Sequence, residues 1–466
     1  MNAPVPQLLA ELWQSVGGHP LALDHVELTG SEPALPSSYR VGAAAQVSIA
    51  AATLAAAELW RLRTGHRQGV SVDMRHAAAE FRSERYLRVA GKSPAEPWDP
   101  IARTYRCGDG RWVRLHTNFP HHRDGVLKLL GCAYDREAVA AALASRQAEE
   151  FEQAAADAGL VVAMMRSPAE WAAHPQGQAI AELPVLRIKR IGEAPVREFS
   201  PDPRRPLDGI RVLDLTRIIA GPVCGRTLAA HGADVLNITG PHLPAVEPLV
   251  IDTGRGKLAA HLDLRTDEGQ EQLRGLIRES DVFIQGYRPY AIASHGFDRA
   301  ALTQLRPGII YASLSAYGLT GPWAGRRGFD SLVQTASGMN HAEAEAAGVS
   351  EPRPLPCQAL DHASGYLMAL GVMLALLRRA REGGSWLVRV SLAQTGRWIS
   401  GLGRLEDGLQ GADLTFEDVR DLLEESDSGF GRLLAARHAG RLSETPPVWT
   451  RPAVPLGTHP PAWPAG

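Results

Sequence analysis

Apolar residues crowd two stretches of this chain with almost no polar interruption, Ala50 to Leu59 and Leu367 to Leu377. Each stretch is followed by a basic turn with glycine and then by alternating valines. Val41 to Trp60 reads as an alanine-rich helix, because alanine loses no side-chain entropy on entering one. The second stretch follows Asp361 in the run Leu355-Pro356-Cys357-Gln358-Ala359-Leu360-Asp361-His362-Ala363-Ser364-Gly365, which predicts a buried helix starting directly after the aspartate. Laying Ala43 to Met74 over Asp361 to Leu392 brings Ala45, Ala51, Ala57, Leu59, Arg61, Arg63, Gly65, Val70 and Val72 onto identical residues. A helix, a basic turn and a short strand are therefore repeated. Ala43 falls opposite Asp361, so one copy carries an acid where the other has only a methyl group.

Other segments alternate differently. Thr104 to Asn118 alternates about Cys107-Gly108-Asp109-Gly110 as a hairpin does, Glu137 to Ala158 has helical spacing, and Val185 to Ile191 is a short strand run. From Pro206 the character changes. Ile210 to Leu215 is a buried-strand run, Val223 to His231 a helix closed by Gly232, and Val235 to Ile238 a second strand, together a βαβ unit. Asp281 to Gln285 and Ile309 to Leu314 add strands, with the amphipathic helix Glu268 to Glu279 ahead of them. The expected class is α/β, a parallel sheet flanked by helices. Proline clusters at Glu32 to Ser38, Pro94 to Pro100, Pro195 to Pro206 and Pro446 to Pro464 mark the joints. They divide the chain into an N-terminal helical segment (1–100), a small α+β domain (101–200), a Rossmann-like large domain (206–404) and a charged, then proline-rich tail (405–466), partly disordered.

Composition narrows the function classes. The 466 residues carry a formal charge of -2 and the pI is near 6.8, so no global field draws the protein to nucleic acid or an anionic membrane. An anionic ligand has to be met by local arginines. The apolar stretches fall short of the roughly 20 residues a bilayer needs, and no membrane span is expected. Cys107, Cys132, Cys224 and Cys357 have no metal-ligand spacing, and Met1 to Ala10 lacks the layout of a signal peptide, so a cytoplasmic protein is expected. His116, His121 and His122 lie near Asp124, but their spacing matches no zinc arrangement; they read as structural or surface histidines, and no metal is expected. Trp60, Trp112, Trp171 and Trp323 read as core or interface residues.

Candidate chemistry starts at the βα loop Thr216-Arg217-Ile218-Ile219-Ala220-Gly221-Pro222. Beyond a strand end, the following helix offers free N–H groups to an anion, a position suited to a phosphate-bearing ligand. G-x-G-x-x-G is absent, which argues against a nicotinamide or flavin dinucleotide.

A wider set of motifs then falls into line. Pro206-Leu207-Asp208-Gly209-Ile210-Arg211-Val212-Leu213-Asp214-Leu215-Thr216, Ala220-Gly221-Pro222, Gly232-Ala233-Asp234-Val235, Arg255-Gly256-Lys257, Leu262-Asp263-Leu264-Arg265, Tyr287-Arg288-Pro289, Tyr317-Gly318-x-x-Gly321-Pro322 and Arg327-Gly328-Phe329-Asp330 resemble the class III CoA-transferases, the carnitine dehydratase-like family, in order and spacing over about Pro206 to Trp398. The N-terminal part resembles the family's second half, through Arg63-Thr64-Gly65-x-x-Gln68, Val70 to Met74 and the hairpin Tyr105-Arg106-Cys107-Gly108-Asp109-Gly110. The halves thus stand in reversed order, as a circular permutation or a trimmed tandem fusion would leave them; the duplicated stretch favours the fusion.

The resemblance implies a Rossmann-like large domain with a smaller domain, and a homodimer of interlocked chains whose survival the reordering leaves open. It implies that Asp361 is the nucleophile, that acyl-CoA and a carboxylic acid are the substrates, and that no cofactor is tightly bound. Aspartate is also a favoured helix N-cap, and the helix end would keep the carboxylate ionised. Backbone N–H groups from His362 to Gly365 are the expected oxyanion donors. Arg217, Ile219, Ala220, Lys257, Leu262, Arg265, Gly286, Tyr287, Arg288 and Tyr317 match CoA-contacting positions. Gly240 and Ser294 depart from the family, standing where relatives carry basic residues. Phe329 stands where the racemase branch has a histidine, which disfavours racemisation unless His341 or His362 reaches the substrate. The alternatives are an acyl-CoA racemase or dehydratase-like enzyme and a non-catalytic acyl-CoA-binding paralogue.

Overall fold

The structure, a computed structural model, describes residues 2–95 and 98–464; Glu96 and Pro97 of the second proline cluster lie outside it. The strands read from Ile210 onward assemble a seven-stranded sheet in the order Lys257–His261, Asp234–Thr239, Arg211–Leu215, Val282–Gln285, Ile310–Ser315, Ser385–Ser391 and Leu186–Gly192. The first six are parallel and the last is antiparallel to its neighbour. Numbered along the chain from Arg211, the parallel strands run 3-2-1-4-5-6, the Rossmann order, in which ligands bind where the winding reverses. That switch point lies between Arg211–Leu215 and Val282–Gln285. The helix Ala220–Ala230 follows the first of these strands, and every one of its residues is buried.

A smaller α+β unit packs a three-stranded antiparallel sheet, Thr104–Arg106, Trp112–Leu115 and Val162–Met164, on the helices Pro120–Leu130, Arg136–Leu143 and Ala148–Asp157. The single helix expected over Glu137 to Ala158 is thus two. The break is held by the hairpin, since Gly108 N–H donates to Arg146 O (2.8 Å) and Asp109 accepts from Ala148 N–H (3.0 Å).

The repeat is present in three dimensions. Val41–Thr64 and Ala359–Glu382 are both 24-residue helices, packed on each other. Their N-caps, Arg40 and Gln358, share one backbone conformation (φ -79°, ψ 59° and φ -75°, ψ 62°). Their last turns close alike, Gly65 N–H on Arg61 O and Gly383 N–H on Arg379 O. The following strands end on matched caps, Asp73 accepting from His76 N–H and Ser391 from Gln394 N–H. Each of those strands also sits between a parallel and an antiparallel neighbour: Val26–Thr29 and Gly440–Leu442 flank Val70–Asp73, as Ile310–Ser315 and Leu186–Gly192 flank Ser385–Ser391. By length and composition both helices are apolar enough to cross a bilayer, longer than the apolar runs within them; both are buried inside the protein.

The expected partly disordered tail is a further correction. Residues 405–464 contribute three strands, among them Gly440–Leu442, and then run along the large domain. Trp449 donates to Arg226 O (3.0 Å) and Trp463 to Leu276 O (3.2 Å). Charge and proline content hid those two indole anchors, which supply apolar area and one donor each.

A buried ionic cluster ties the N-terminal segment to the sheet domain. Arg226, fully buried, pairs with Asp252 at 2.8 Å and lies 3.6 Å from Glu80. Asp252 also meets Arg255 at 3.0 Å and accepts from Ser83 at 2.6 Å. The short helix Ser83–Tyr86 is thereby fixed, and with it Glu84 and Arg85. Removing the cation alone would leave buried Glu80 without its paired guanidinium and Asp252 with Arg255 alone. Arg226→Met is expected to cost about 3–5 kcal/mol, read as a lower urea midpoint; a midpoint unchanged from the parent would show that the cluster does not hold the two parts together.

Candidate active site

Asp361 lies in the first turn of Ala359–Glu382, two residues after its start. It is not the N-cap, which is Gln358, so the capping role open to it from sequence falls away. The helix head is instead satisfied by Asp330, whose Oδ2 accepts from Leu360 N–H (2.8 Å) and Asp361 N–H (3.0 Å). Among the described residues the Asp361 carboxylate accepts no hydrogen bond. It is 7% exposed and opens onto two cavities.

The expectation that the helix end keeps Asp361 ionised is corrected too. The N–H groups that would do so point at the other carboxylate. Burial, then the charges of Asp330 and Glu84, hold Asp361 well above the usual carboxylate range, while burial raises Asp330 to about 6. Glu84 arrives from the N-terminal segment and meets His362 Nε2 at 3.3 Å. The amides from His362 to Gly365 are also unsuited as oxyanion donors, because they lie within the helix; His362 N–H already donates to Gln358 O (3.1 Å). A Cβ on Gly365 would come within 2.6 Å of Ala220 O, so this glycine serves close helix packing. The head of Ala220–Ala230 offers the N–H groups of Ala220 and Gly221, which have no partner within the helix, whereas Pro222 carries none and Val223 N–H donates to Ile219 O (2.8 Å).

On one side of Asp361 is a cavity of about 340 Å³ at the switch point, lined by Arg217, Ile219, Ala220, Gly286, Tyr287 and Arg288. Six of the ten expected CoA-contacting residues thus converge. Arg327 joins them, 3.4 Å from His122. Arg217, Arg288 and Arg327 pair with no carboxylate among the described residues. Burial lowers the guanidinium pKa of Arg217, and burial with Arg288 that of Arg327. Arg217 also donates to Pro244 O; guanidinium groups are suited to an anion where no carboxylate neutralises them. Ile218, between Arg217 and Ile219, takes φ 75°, a conformation costly for a β-branched residue and held only by its surroundings.

The other four divide. Leu262 and Arg265 line an adjoining cavity of about 160 Å³ that shares Tyr287. Gly240 lines it as well, with His242 and His295; Ser294 is turned to Ala291 O (2.8 Å). Lys257 is 3% exposed and consumed by Asp214 (2.8 Å) and Pro222 O (2.8 Å). Tyr317 is buried against Trp323 (ring centroids 4.9 Å). Both were expected at the ligand, and neither lines the two cavities onto which Asp361 opens. A motif match cannot separate a ligand contact from a buried pair.

On the other side lies a cavity of about 600 Å³ walled by both parts of the chain. His116 stacks on Phe329 (3.9 Å, 12°), and Trp98 meets His116 edge-on at 5.8 Å. Burial, with Arg114 and His122, lowers His116 to about 3, so its ring is neutral. His116, His121 and His122 thus line the cavities, and no metal-binding cluster occurs among the described residues. Sequence reasoning had not assigned roles to Asp330, Glu84 or Arg327. Asp330 and Arg327 stood within a quoted motif, whereas nothing in the sequence ties Glu84 to a helix head so far along the chain.

With this geometry in hand, comparison with known proteins is decisive on kinship. The family model described as CoA-transferase family III matches residues 14–199 and 207–414. The chain belongs to that family. Over 201 residues it is 35% identical to "Acetyl-coenzyme A transferase nodX" of Hypoxylon pulicicidum, a match covering 42% of this chain and 34% of that one. It is also 35% identical over 204 residues to "Probable fatty acyl-CoA transferase Rv3272" of Mycobacterium tuberculosis, covering 41% and 51%. The chain therefore spans about a third to a half of those relatives. An "Acyl-CoA transferase" of Gibberella moniliformis is 28% identical over 404 residues, 77% of this chain and 70% of its own length, and so shares the order of the halves.

The raised carboxyls of this family III site have a consequence for stability. An acid whose folded pKa lies above its unfolded value of about 3.9 stabilises the fold fully below that value. The contribution is lost as pH rises through the folded pKa, here about 6 for Asp330 and raised for Asp361 as well. Asp361→Asn is expected to be more stable than the parent at about pH 8, by roughly 1–3 kcal/mol, with the difference vanishing near pH 4. Urea unfolding at the two pH values checks this, and a variant less stable at the higher pH would contradict it.

Proposed function

We propose that the protein is a CoA-transferase moving coenzyme A between carboxylic acids through covalent Asp361 intermediates. The observation that carries this is a carboxylate free of hydrogen bonds, at the junction of an arginine-lined cavity and a larger, mostly apolar one. CoA phosphates would be met by Arg217, Arg288 and Arg327, leaving the thioester beside Asp361 and the acyl group in the larger cavity. A desolvated carboxylate is a stronger nucleophile than a hydrated one once ionised.

An Asp361 oxygen attacks the thioester carbonyl carbon; the C–S bond breaks and CoA thiolate leaves a mixed anhydride. The thiolate attacks the Asp361 carbonyl carbon, expelling the donor acid and forming an aspartyl-CoA thioester. The acceptor carboxylate attacks that carbonyl, again releasing thiolate. Thiolate then attacks the new acyl carbon and frees Asp361. Nucleophile and leaving group are anions throughout, so no proton is consumed. N–H groups at the head of Ala220–Ala230 would meet the tetrahedral oxyanions. Glu84, Asp361, His116 and the arginines belong to one polypeptide, so we infer that one chain builds a whole site.

Racemisation is the weaker reading. It needs a base strong enough to take an α-proton, and the imidazole nearest the position is His116, held to about 3. Phe329 cannot move a proton, and His362 is engaged by Glu84.

Transfer from an acyl-CoA panel to free acids, followed by chromatography, tests the proposal. Asp361→Ala is expected to abolish transfer, while Arg288→Ala and Arg327→Ala raise KM for the CoA ester roughly tenfold or more with smaller effects on kcat. Transfer undiminished in Asp361→Ala would refute it.

A further inference from the structure

The acyl side of the site, on the transferase reading above, has a shape of its own. Its cavity, about 600 Å³, lies in the range of roughly 300–1,000 Å³ that suits a drug-sized ligand. A two- to four-carbon acyl group would leave most of that space to water. One wall is a run of rings: Trp98 against His116, His116 flat on Phe329, and Phe119 with its ring 6.1 Å from Phe329. His116 is uncharged across the working pH range, so this wall has no ionic character near its centre. Ile218, Val246 and Leu249 face the same cavity. Water against such surfaces is gainfully displaced by apolar groups, and ring faces and edges favour another ring. Among the described residues, the charged groups lining this cavity are Asp330, Asp361, Glu84 and the exposed Arg85.

We propose that this cavity selects a ring-bearing carboxylic acid, aryl or alicyclic, as the acyl group carried through the site. Val246 is the specificity-determining position, half-buried and lining the cavity from the loop before the helix Glu247–Gly254. It sits at the margin of the core, only partly buried, rather than within it.

The test separates binding from turnover. Full-length Asp361→Asn, which cannot form the anhydride, is titrated calorimetrically with acetyl-, succinyl-, hexanoyl-, cyclohexylacetyl- and 3-phenylpropionyl-CoA. The two ring esters are expected to bind roughly tenfold or more tightly than acetyl- and succinyl-CoA. Adding Val246→Trp to that variant should remove most of this advantage and leave acetyl-CoA within about threefold of its starting affinity. Equal affinity across the panel, or preference for the small esters, would overturn the inference, and the parent comparison decides it even if the tryptophan variant fails to fold. The wild-type chain is assayed for transfer with the same esters. Ring preference in binding with no transfer from any ester would defeat the transferase reading while leaving the cavity's selectivity standing.

Discussion

The carboxylate of Asp330 takes two of the free N–H groups at the head of the helix Ala359–Glu382, those of Leu360 and Asp361, and the chemistry assigned to Asp361 depends on that capture. Had the helix end served Asp361, its oxygens would be hydrogen-bonded, charged at low pH and poor at attack. Deprived of those donors, buried, and facing Asp330 and Glu84, Asp361 is instead a carboxyl whose ionised form is high in energy, beside two cavities. The destabilisation is local, and the surrounding packing holds it. Gly365 lets the helix lie against Ala220–Ala230 so closely that the βα loop, with Ile218 at φ 75°, is brought to the cavities that Asp361 lines.

The first copy of the motif shows the same architecture without the chemistry. Its helix begins from an N-cap of matching conformation, and a carboxylate again serves its head, Glu32 accepting from Ala43 N–H at 3.1 Å. Here, however, Arg40 pairs with Glu32 and also donates to Ala3 O (2.7 Å) and Leu402 O (3.2 Å), closing the position. With alanine in place of the acid and a guanidinium across the entrance, this copy keeps a packing role. It holds the second helix and, through Glu80 and Ser83, fixes the segment carrying Glu84 at the working site. The two repeat-bearing parts of the chain thus close around one buried carboxylate.

Much of this was legible in the chain. The repeat, the parallel sheet and the loop Thr216 to Pro222 followed from periodicity, because buried strands and helices must declare their apolar faces locally. The aspartate at the second helix head was equally visible. What sequence could not supply were interactions between distant residues. Nothing local distinguishes Lys257, spent on Asp214, from a phosphate ligand, or tells that Leu360 and Asp361 direct their N–H groups to a carboxylate thirty residues earlier. Glu84 carried no signal, since its role arises only when the N-terminal segment docks. The tail was misread because its order rests on three short strands and on the indoles of Trp449 and Trp463, none of which makes a long periodic pattern.

The central claim is that Asp361 becomes covalently acylated, once per chain. Incubating the full chain with CoA esters, quenching with hydroxylamine or borohydride and mapping peptides by mass spectrometry reads this directly. The account predicts modification confined to the peptide bearing Asp361, approaching one adduct per chain. Turnover of an ester with Asp361 found unmodified under the same quench would contradict it.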